Sequence, residues 1–462
     1  MVEQEARDQT RRCRALPDSV ATVTRRGLCM GCGTCQSVCP SGAVVMQVEA
    51  RTGCITPRID DQRCTHCGRC MAICPGHSPS PRRAPQEPGS ARWDDVIGAY
   101  HACYTGHAAS HDVRYHGASG GIATALLVHM LQSGAIDGAL VTQMSPSNPL
   151  QTTWVLARSV EEIVAANGSK YCPTAPNAGL SEILAHEGHY AVVGLPCHMH
   201  AIRRWGQSNP LLAERIALHL GLFCANNNTY LGTEYFLWQH GIAPQDVAGI
   251  RYRAEGWPGR IVVTLRDGRR IVVPRGSSER RWHRRALFTS AFHYHFAIPR
   301  CLLCADQTCE AADLSLGDPW LRELTVTERV GLSLVIARNP QGEALLSDAV
   351  AAGAIVVQPT DISVVRRAQN YAFKRDVGGR IWLCRTLGRA VPEYPDRALP
   401  ASIRSVLSGL RYLPCYVSHH RRLWPLLRVL AVVEGGSRLF MARIGRGMRR
   451  LFGASPKDRR AV

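Results

Sequence analysis

Three segments of different class are expected along these 462 residues: a small α+β module, a larger α/β domain and a mainly helical, basic tail. Three observations predict them. Two cysteine-dense runs stand near the amino terminus, strand-like and helix-like apolar patterns alternate through the middle, and arginine accumulates at the far end. Alternating strand and helix patterns imply an α/β sheet with at least some parallel strands.

The first cysteine run places Cys29, Cys32, Cys35 and Cys39 ahead of Pro40; the second places Cys64, Cys67, Cys70 and Cys74 ahead of Pro75. Each is a C-x2-C-x2-C-x3-C-P run, the spacing that holds a 4Fe–4S cluster in bacterial ferredoxins. Three closely spaced thiolates wrap one cubane only where the chain turns tightly, and the fourth points away to ligate the other cluster. Cys29, Cys32, Cys35 and Cys74 are therefore assigned to one cluster, and Cys64, Cys67, Cys70 and Cys39 to the second. Gly31, Gly33 and Gly68 suit loops that approach an inorganic core closely. A structural zinc site takes four ligands, commonly two C-x2-C pairs, and leaves the extra cysteines of each run without a role. A disulfide framework fits poorly with an odd total of 19 Cys. Between the runs, residues 43–48 and 54–59 have strand patterns, which completes an α+β ferredoxin-like domain over residues 25–76. Cys54 falls outside both motifs and reads as a small buried hydrophobe.

The bulk properties set outer limits. The length suits two or three domains, and 45% hydrophobic residues allow an ordinary core. A formal net charge of +19 invites a nucleic-acid or membrane-surface partner. The excess is concentrated, however: residues 401–462 hold thirteen Lys and Arg against only Glu434 and Asp458. No nucleic-acid-binding module is recognisable, so that partner is not expected. Residues 1–24, which include Cys13, read as a leader that is charged and lacks an apolar signal segment. No 18-residue apolar run is present. With free thiols, these features lead to the expectation of a cytoplasmic protein.

Residues 77–92 are rich in Pro, Ser and Gly, the composition of a linker. A new domain starts near Trp93 and is read in two parts, 93–180 and 181–370. Its first landmark is the turn Ser119-Gly120-Gly121 leading into an apolar helix near Ile122. Backbone N–H groups at such a helix start make an anion cradle, for which a tight glycine turn is the plain alternative. A second small-residue loop, Gly168-Ser169-Lys170-Tyr171, carries a cation and an aromatic ring. Two apolar runs, from Ala191 and from Ile216, read as buried strands ending at Cys197 and Cys224. Ligands of open α/β sheets collect at such carboxyl ends. Cys301 and Cys304 add a C-x2-C pair, bringing the thiolates to four, the number a third cluster takes. A redox dithiol, or a zinc site closed by the strand-end cysteines, satisfies the same spacing. Cys309 is an alternative ligand; Cys103, Cys172, Cys384 and Cys415 read as structural.

These residues resemble the coenzyme F420 hydrogenase/dehydrogenase beta-subunit family. The resemblance rests on Ser119–Gly121 with the helix that follows, Gly168–Tyr171, Val193–Arg204, Leu222–Cys224, Cys301–Asp306 and Ala312–Asp318. It spans roughly residues 95–370. It implies an α/β flavin- and Fe–S-binding domain with FAD and a 4Fe–4S cluster on Cys197, Cys224, Cys301 and Cys304. It also implies that Ser119, Gly120, Gly121, Gly168, Ser169, Lys170, Tyr171 and Pro196 bind the cofactor. The fused cysteine module in front and about 90 residues behind depart from the family core, and leave the acceptor less defined than the chemistry.

The implied function is an iron–sulfur flavoprotein oxidoreductase. An external protein exchanges electrons with the clusters, and the flavin exchanges hydride with a small organic acceptor, coenzyme F420 being the first guess. His116 and Lys170 are the candidate catalytic groups, able to neutralise charge near flavin or substrate; a core-edge histidine and a surface cation are the plain alternatives. The second functional reading is an electron-transfer adaptor with no substrate of its own. In the tail, 371–462, Phe440, Ile444, Met448 and Leu451 fall at helical spacing among Arg443, Arg446, Arg449 and Arg450. That pattern fits either an amphipathic helix on an anionic membrane or a helix docked on the core with a solvated basic face.

Overall fold

The computed structural model describes residues 19–79, 92–274, 288, 290–369, 371, 374, 376–394, 398–410 and 412–433. The expected leader up to residue 18, most of the linker and the pattern from Phe440 to Leu451 lie outside the described residues.

The cysteine module is built on two antiparallel strands, β1 (Val44–Glu49) and β2 (Cys54–Ile59), with Val44 opposite Ile59. Two single-turn helices, Thr34–Ser37 and Arg69–Ala72, start from Gly33 (φ 92°) and Gly68 (φ 70°). Only glycine adopts that left-handed backbone without penalty, and it lets each run turn back on its own thiols. Helix Val20–Arg25 buries Val20 and Val23 against Leu28, Cys35 and Val44. It belongs to this module, so the boundary expected at residues 24/25 cuts through it.

After the short hairpin β3 (Arg92–Asp94) and β4 (Gly98–Tyr100) come the strands of the main sheet and of a smaller one. They are β5 (Ala102–Ala108), β6 (Gly138–Met144), β7 (Thr152–Ala157), β8 (Tyr190–Gly194), β9 (Ile216–Leu222), β10 (Val247–Ala254), β11 (Arg260–Leu265), β12 (Arg270–Pro274), β13 (Leu314–Gly317), β14 (Ser333–Ala337) and β15 (Ile355–Pro359). The main sheet is mixed, in the order β15-β5-β14-β13-β9-β8-β6-β7. Its centre, β13-β9-β8-β6, is parallel, and the flanking pairs are antiparallel. The separate antiparallel sheet β10-β11-β12 is not among the expected elements.

Successive residues of a strand face opposite sides, and the core follows that rule. Ala139 and Val141 pack with helix Ile122–Gln132, whereas Leu140 packs with Met199 and Ile202 of helix Pro196–Ser208. Both faces of the parallel centre are thus covered, as parallel strands require. Because β6 pairs directly with β8, the segments 93–180 and 181–370 contribute to one sheet.

The described part of the tail is helical, over Val377–Thr386, Ile403–Leu410 and residues 424–433. It straps two parts of the chain together. Val377, Ile381 and Cys384 enter the apolar cluster of the cysteine module. Tyr394 donates its hydroxyl to the Leu303 carbonyl at 2.7 Å, and Arg380 Nε donates to the Leu302 carbonyl at 2.6 Å. No helix among the described residues is long and apolar enough to cross a membrane.

Candidate cysteine relay and cavity

The thiols collect in three groups. Cys39, Cys64, Cys67 and Cys70 line a cavity of about 70 Å³ with Ser41 and Met71, and Cys67 is exposed. Cys29, Cys32, Cys35 and Cys74 form a second group inside the module, close enough that neighbouring thiols add to the effect of burial in raising the Cys35 thiol well above its ordinary value. Both groups are the sets expected from the spacing of the runs.

The third group is drawn from three distant stretches. Cys197 sits in the first turn of helix Pro196–Ser208, Cys224 lies just past the end of β9, and Cys301 and Cys304 lie on a 3-10 turn and its cap. Burial, then proximity to Cys32, Cys301, Cys224 and Cys304, pushes the Cys197 thiol well above its usual range. A cation bound by such thiols would deprotonate them outright and offset this cost of burial. Cys309 is packed behind β9, where a Cβ on Gly221 would meet its Sγ at 2.5 Å, and it faces the core cluster of Ile202 and Trp205. Among the described residues no group of three or more His, Cys, Asp or Glu is arranged to hold a single metal ion. A cubane does not need one, because its thiolates bind separate irons.

The second and third groups are held against each other. Met30, buried, packs with Cys197 and Cys304. The Asn177 N–H donates to the Cys32 carbonyl at 3.2 Å, and Ser37 Oγ donates to the Asn177 and Ala178 carbonyls at 2.8 and 2.9 Å. A Cβ on Gly33 would stand 2.7 Å from the Ala178 nitrogen, so only glycine permits this approach. On the far side Arg300 Nε donates to the Gly76 carbonyl at 2.7 Å and Arg204 Nη1 to the Cys74 carbonyl at 3.4 Å. Cys54, expected to be a plain core residue, lies between the groups: burial, with Glu49 and Cys301 adding to it, pushes its thiol up to about 11.

A cavity of about 360 Å³ opens at the carboxyl ends of the parallel strands, with Cys224 in its wall. Ser119, Gly121, Gly168, Ser169, Lys170 and Tyr171 all line it. Gly121 (φ 75°) caps helix Ile122–Gln132, where a Cβ would stand 2.7 Å from the Val113 carbonyl oxygen. Ser119 Oγ is held by Ser333 Oγ at 2.8 Å and by the Leu332 carbonyl at 2.9 Å. Two expected cofactor residues stand elsewhere. Gly120 is packed against β5 and β14, with its N–H donated to Ser333 Oγ at 2.8 Å, and Pro196 is buried at the start of its helix and is not part of the cavity wall.

The two candidate catalytic groups are placed differently from each other. Lys170 turns its amine back onto the carbonyls of Ala166, Asn167 and Gly168, the last at 3.0 Å, and so closes its own loop. Burial lowers its ammonium to about 8. His116 is outside this cavity, in a neighbouring one of about 380 Å³ behind the Asn167–Lys170 loop, with its Nε2 3.3 Å from Asp112 Oδ1.

Several wall residues were not picked out from the sequence. Arg253 Nη1 and Nη2 form a two-pronged pair with Asp318, both contacts at 2.7 Å, and Trp257 Nε1 donates to the same carboxylate at 2.8 Å. Trp320 stacks on Trp257 with ring centres 5.1 Å apart. His198 lines the cavity as a neutral ring, its pKa lowered to about 3 by burial. Gln307 Oε1 is buried at the cavity with no hydrogen-bond partner among the described residues. His198 and Asp318 lay inside the quoted motifs, which is the one signal that pointed to them.

Residues 103–181 match the coenzyme F420 hydrogenase/dehydrogenase beta subunit, amino-terminal family, and residues 188–363 match its carboxyl-terminal counterpart. Residues 28–77 match a 4Fe–4S dicluster domain. The chain is 27% identical to coenzyme F420 hydrogenase subunit beta of Methanosarcina barkeri over 58% of its own length and 85% of that protein. It is 24% identical to the coenzyme F420-dependent sulfite reductase of Methanocaldococcus jannaschii over 77% of its length, which spans 51% of the relative. Among solved structures, a chain of the F420-reducing [NiFe] hydrogenase complex from Methanosarcina barkeri superposes with a TM-score of 0.51 at 24% identity, covering 66% of this chain and all of that one. At that identity the likeness speaks to the fold.

Proposed function

This chain belongs to the coenzyme F420 hydrogenase/dehydrogenase beta-subunit family, with a 4Fe–4S dicluster domain in front, and from that premise we propose that it is an iron–sulfur flavoprotein oxidoreductase. The observation that carries the reading is the order of the thiol groups. They run from the exposed edge at Cys67, through Cys29–Cys35 and Cys74, to the group of Cys197 and Cys224, of which Cys224 stands at the wall of the 360 Å³ cavity. Each group has four thiols, the number a 4Fe–4S cluster takes. The cavity has the size of a small-molecule site and stands where α/β sheets bind ligands. The buried, unpartnered Gln307 Oε1 is an acceptor waiting for a ligand donor. FAD fits these residues: the helix start behind Gly121 suits an anionic group, and Tyr171, Phe223 and Trp320 supply apolar wall. A 4Fe–4S cluster passes single electrons and a flavin exchanges pairs, so together they convert one into the other.

In this reading the chain's residues position and insulate. Asn177, Ser37 and Gly33 hold the second and third thiol groups together. Lys170 closes the Asn167–Lys170 loop over the cavity, a positioning role in place of the catalytic one expected for it. His116 faces the neighbouring cavity and is assigned to the acceptor side. The proposed acceptor is a small organic hydride carrier, with coenzyme F420 first, because the relatives named above are coenzyme F420 enzymes or their subunits.

A second reading, an adaptor that hands electrons to a partner enzyme, is favoured by one observation. Cys67 is exposed, as a contact point for a redox protein would be, and several relatives are named as subunits. Anaerobic quantitation of iron, sulfide and flavin tests both. About twelve irons with one FAD, and turnover of an acceptor by the isolated protein, are expected. About eight irons without flavin would sink the flavoprotein reading and leave the adaptor.

A further inference from the structure

The end of the described chain is packed inside out. Helix Ile403–Leu410 buries Ser405 and Gly409 and turns Ile403, Leu407 and Leu410 outward, at 82%, 61% and 45% exposure. The cause is close packing of small residues. A Cβ on Gly379 would stand 2.3 Å from Ser405 Oγ, and one on Gly409 would stand 3.1 Å from Arg380 Cγ. The helix therefore docks through its small face, and its large apolar side chains are left over.

The helix over 424–433 also leaves apolar side chains outward, although it docks through large residues. Trp424 and Leu427 pack against Tyr235 and Phe296. Leu426, Val429 and Val433 point away, at 63%, 59% and 61% exposure. Large apolar side chains on the outward row of a helix are ordinarily covered, and exposed apolar surface of this kind marks a docking site. Its charge is one-sided. Residues 401–433 contain no Asp or Glu, and Arg404, Arg422 and Arg428 are exposed beside the apolar rows. Arg421 is not counted, because it is committed to Glu234.

We infer that the outward apolar rows of these two helices, Ile403 to Leu410 and Leu426 to Val433, are a docking surface for an anionic lipid bilayer. Apolar side chains flanked by arginine, with no carboxylate among them, match the boundary between acyl chains and negative headgroups. Contact at this face holds the protein at a membrane surface without spanning it. The inference is independent of what the cavity binds.

The test is co-sedimentation of the full-length, cluster-loaded protein with vesicles. Binding to phosphatidylglycerol-containing vesicles is expected, weakened about tenfold on pure phosphatidylcholine or at high salt. The double variant Leu426→Glu, Val429→Glu is expected to lose binding by about tenfold or more, as is Arg422→Glu with Arg428→Glu. All four positions are exposed, and unchanged iron content and visible spectrum establish that each variant is folded. Three results would overturn the inference: no binding to anionic vesicles, equal binding to both lipids, or full binding by both variants. So would self-association, or capture of an acidic protein in the absence of lipid, if the Leu426/Val429 variant abolished it and vesicles did not compete.

Discussion

The side-chain amide of Asn177 donates to Thr34 Oγ1 at 2.8 Å, joining residues 143 positions apart. The same amide donates to the His198 carbonyl at 3.0 Å. One buried side chain thus ties the first cysteine run to the helix that carries Cys197. Asn177→Ala leaves the His198 carbonyl without this donor and breaks the joint, at a cost of about 1–3 kcal/mol. The expected result is a lower unfolding midpoint and slower transfer from the dicluster module to the cavity, with iron content unchanged. Transfer as fast as in the parent protein would show that the joint lies elsewhere.

Cys224 stands at the cavity wall and Cys67 at the exposed edge. Cys224→Ser is expected to lower iron from about twelve to about eight per chain, while an external protein still reduces the remaining clusters. Cys67→Ser is expected to impair the first step instead, with the cavity end intact. Iron analysis and low-temperature electron paramagnetic resonance of each variant check the assignment; equal losses in both would dissolve it.

The Arg253–Asp318 pair is buried on the arginine side and half-buried at the carboxylate. Asp318→Asn strands the Arg253 cation, and breaking a buried pair in this way costs about 3–5 kcal/mol. Since both residues line the cavity, loss of stability should be accompanied by loss of bound flavin. Arg253→Met with Asp318→Asn removes the stranded charge and should recover stability but not flavin. Flavin fluorescence after gel filtration separates the two effects.

Burial lowers the Lys170 ammonium to about 8, against about 10.4 in an unfolded chain. Between those values the unfolded state binds the extra proton, so stability rises as pH climbs from about 8 to about 10. The gain is about 1–2 kcal/mol once partial exposure is allowed for. Lys170→Met should remove that rise, while weakening the loop at every pH through the uncapped carbonyls. Denaturant midpoints of both proteins across this range provide the measurement, and parallel curves would count against the shift.

Much of the architecture was legible before any coordinate. The two C-x2-C-x2-C-x3-C-P runs, the strands expected at 43–48 and 54–59, the helix from Ile122 and the cysteine just past β9 could all be read from spacing and periodicity, whereas the strand expected to end at Cys197 stops at Gly194 and leaves that cysteine in the helix that follows. Those are local signals, carried by residues near one another in the chain. The hairpin β11-β12 carries a clear signal, Asp267-Gly268 between two Ile-Val-Val runs, that went unread, and Gly120 and Pro196 stand off the cavity wall because a motif does not say which way each member faces. Arg253 was missed for a different reason. Its partner Asp318 lies 65 residues on, and no local pattern announces such a pair.

The sequence by itself determined the chemistry on offer: twenty positions expected to ligate metal or line a cofactor, in segments whose order and spacing mark the family. Only the tertiary structure decided how those segments face one another. It set the first cysteine run against Cys197 through Asn177, put Cys54 between two thiol groups, and turned Lys170 onto its own loop. It also left Ile403 and Leu426 pointing outward. The physical reason is that ligand spacing depends on the covalent chain, whereas burial, hydrogen-bond partners and exposed faces depend on which distant surfaces pack together.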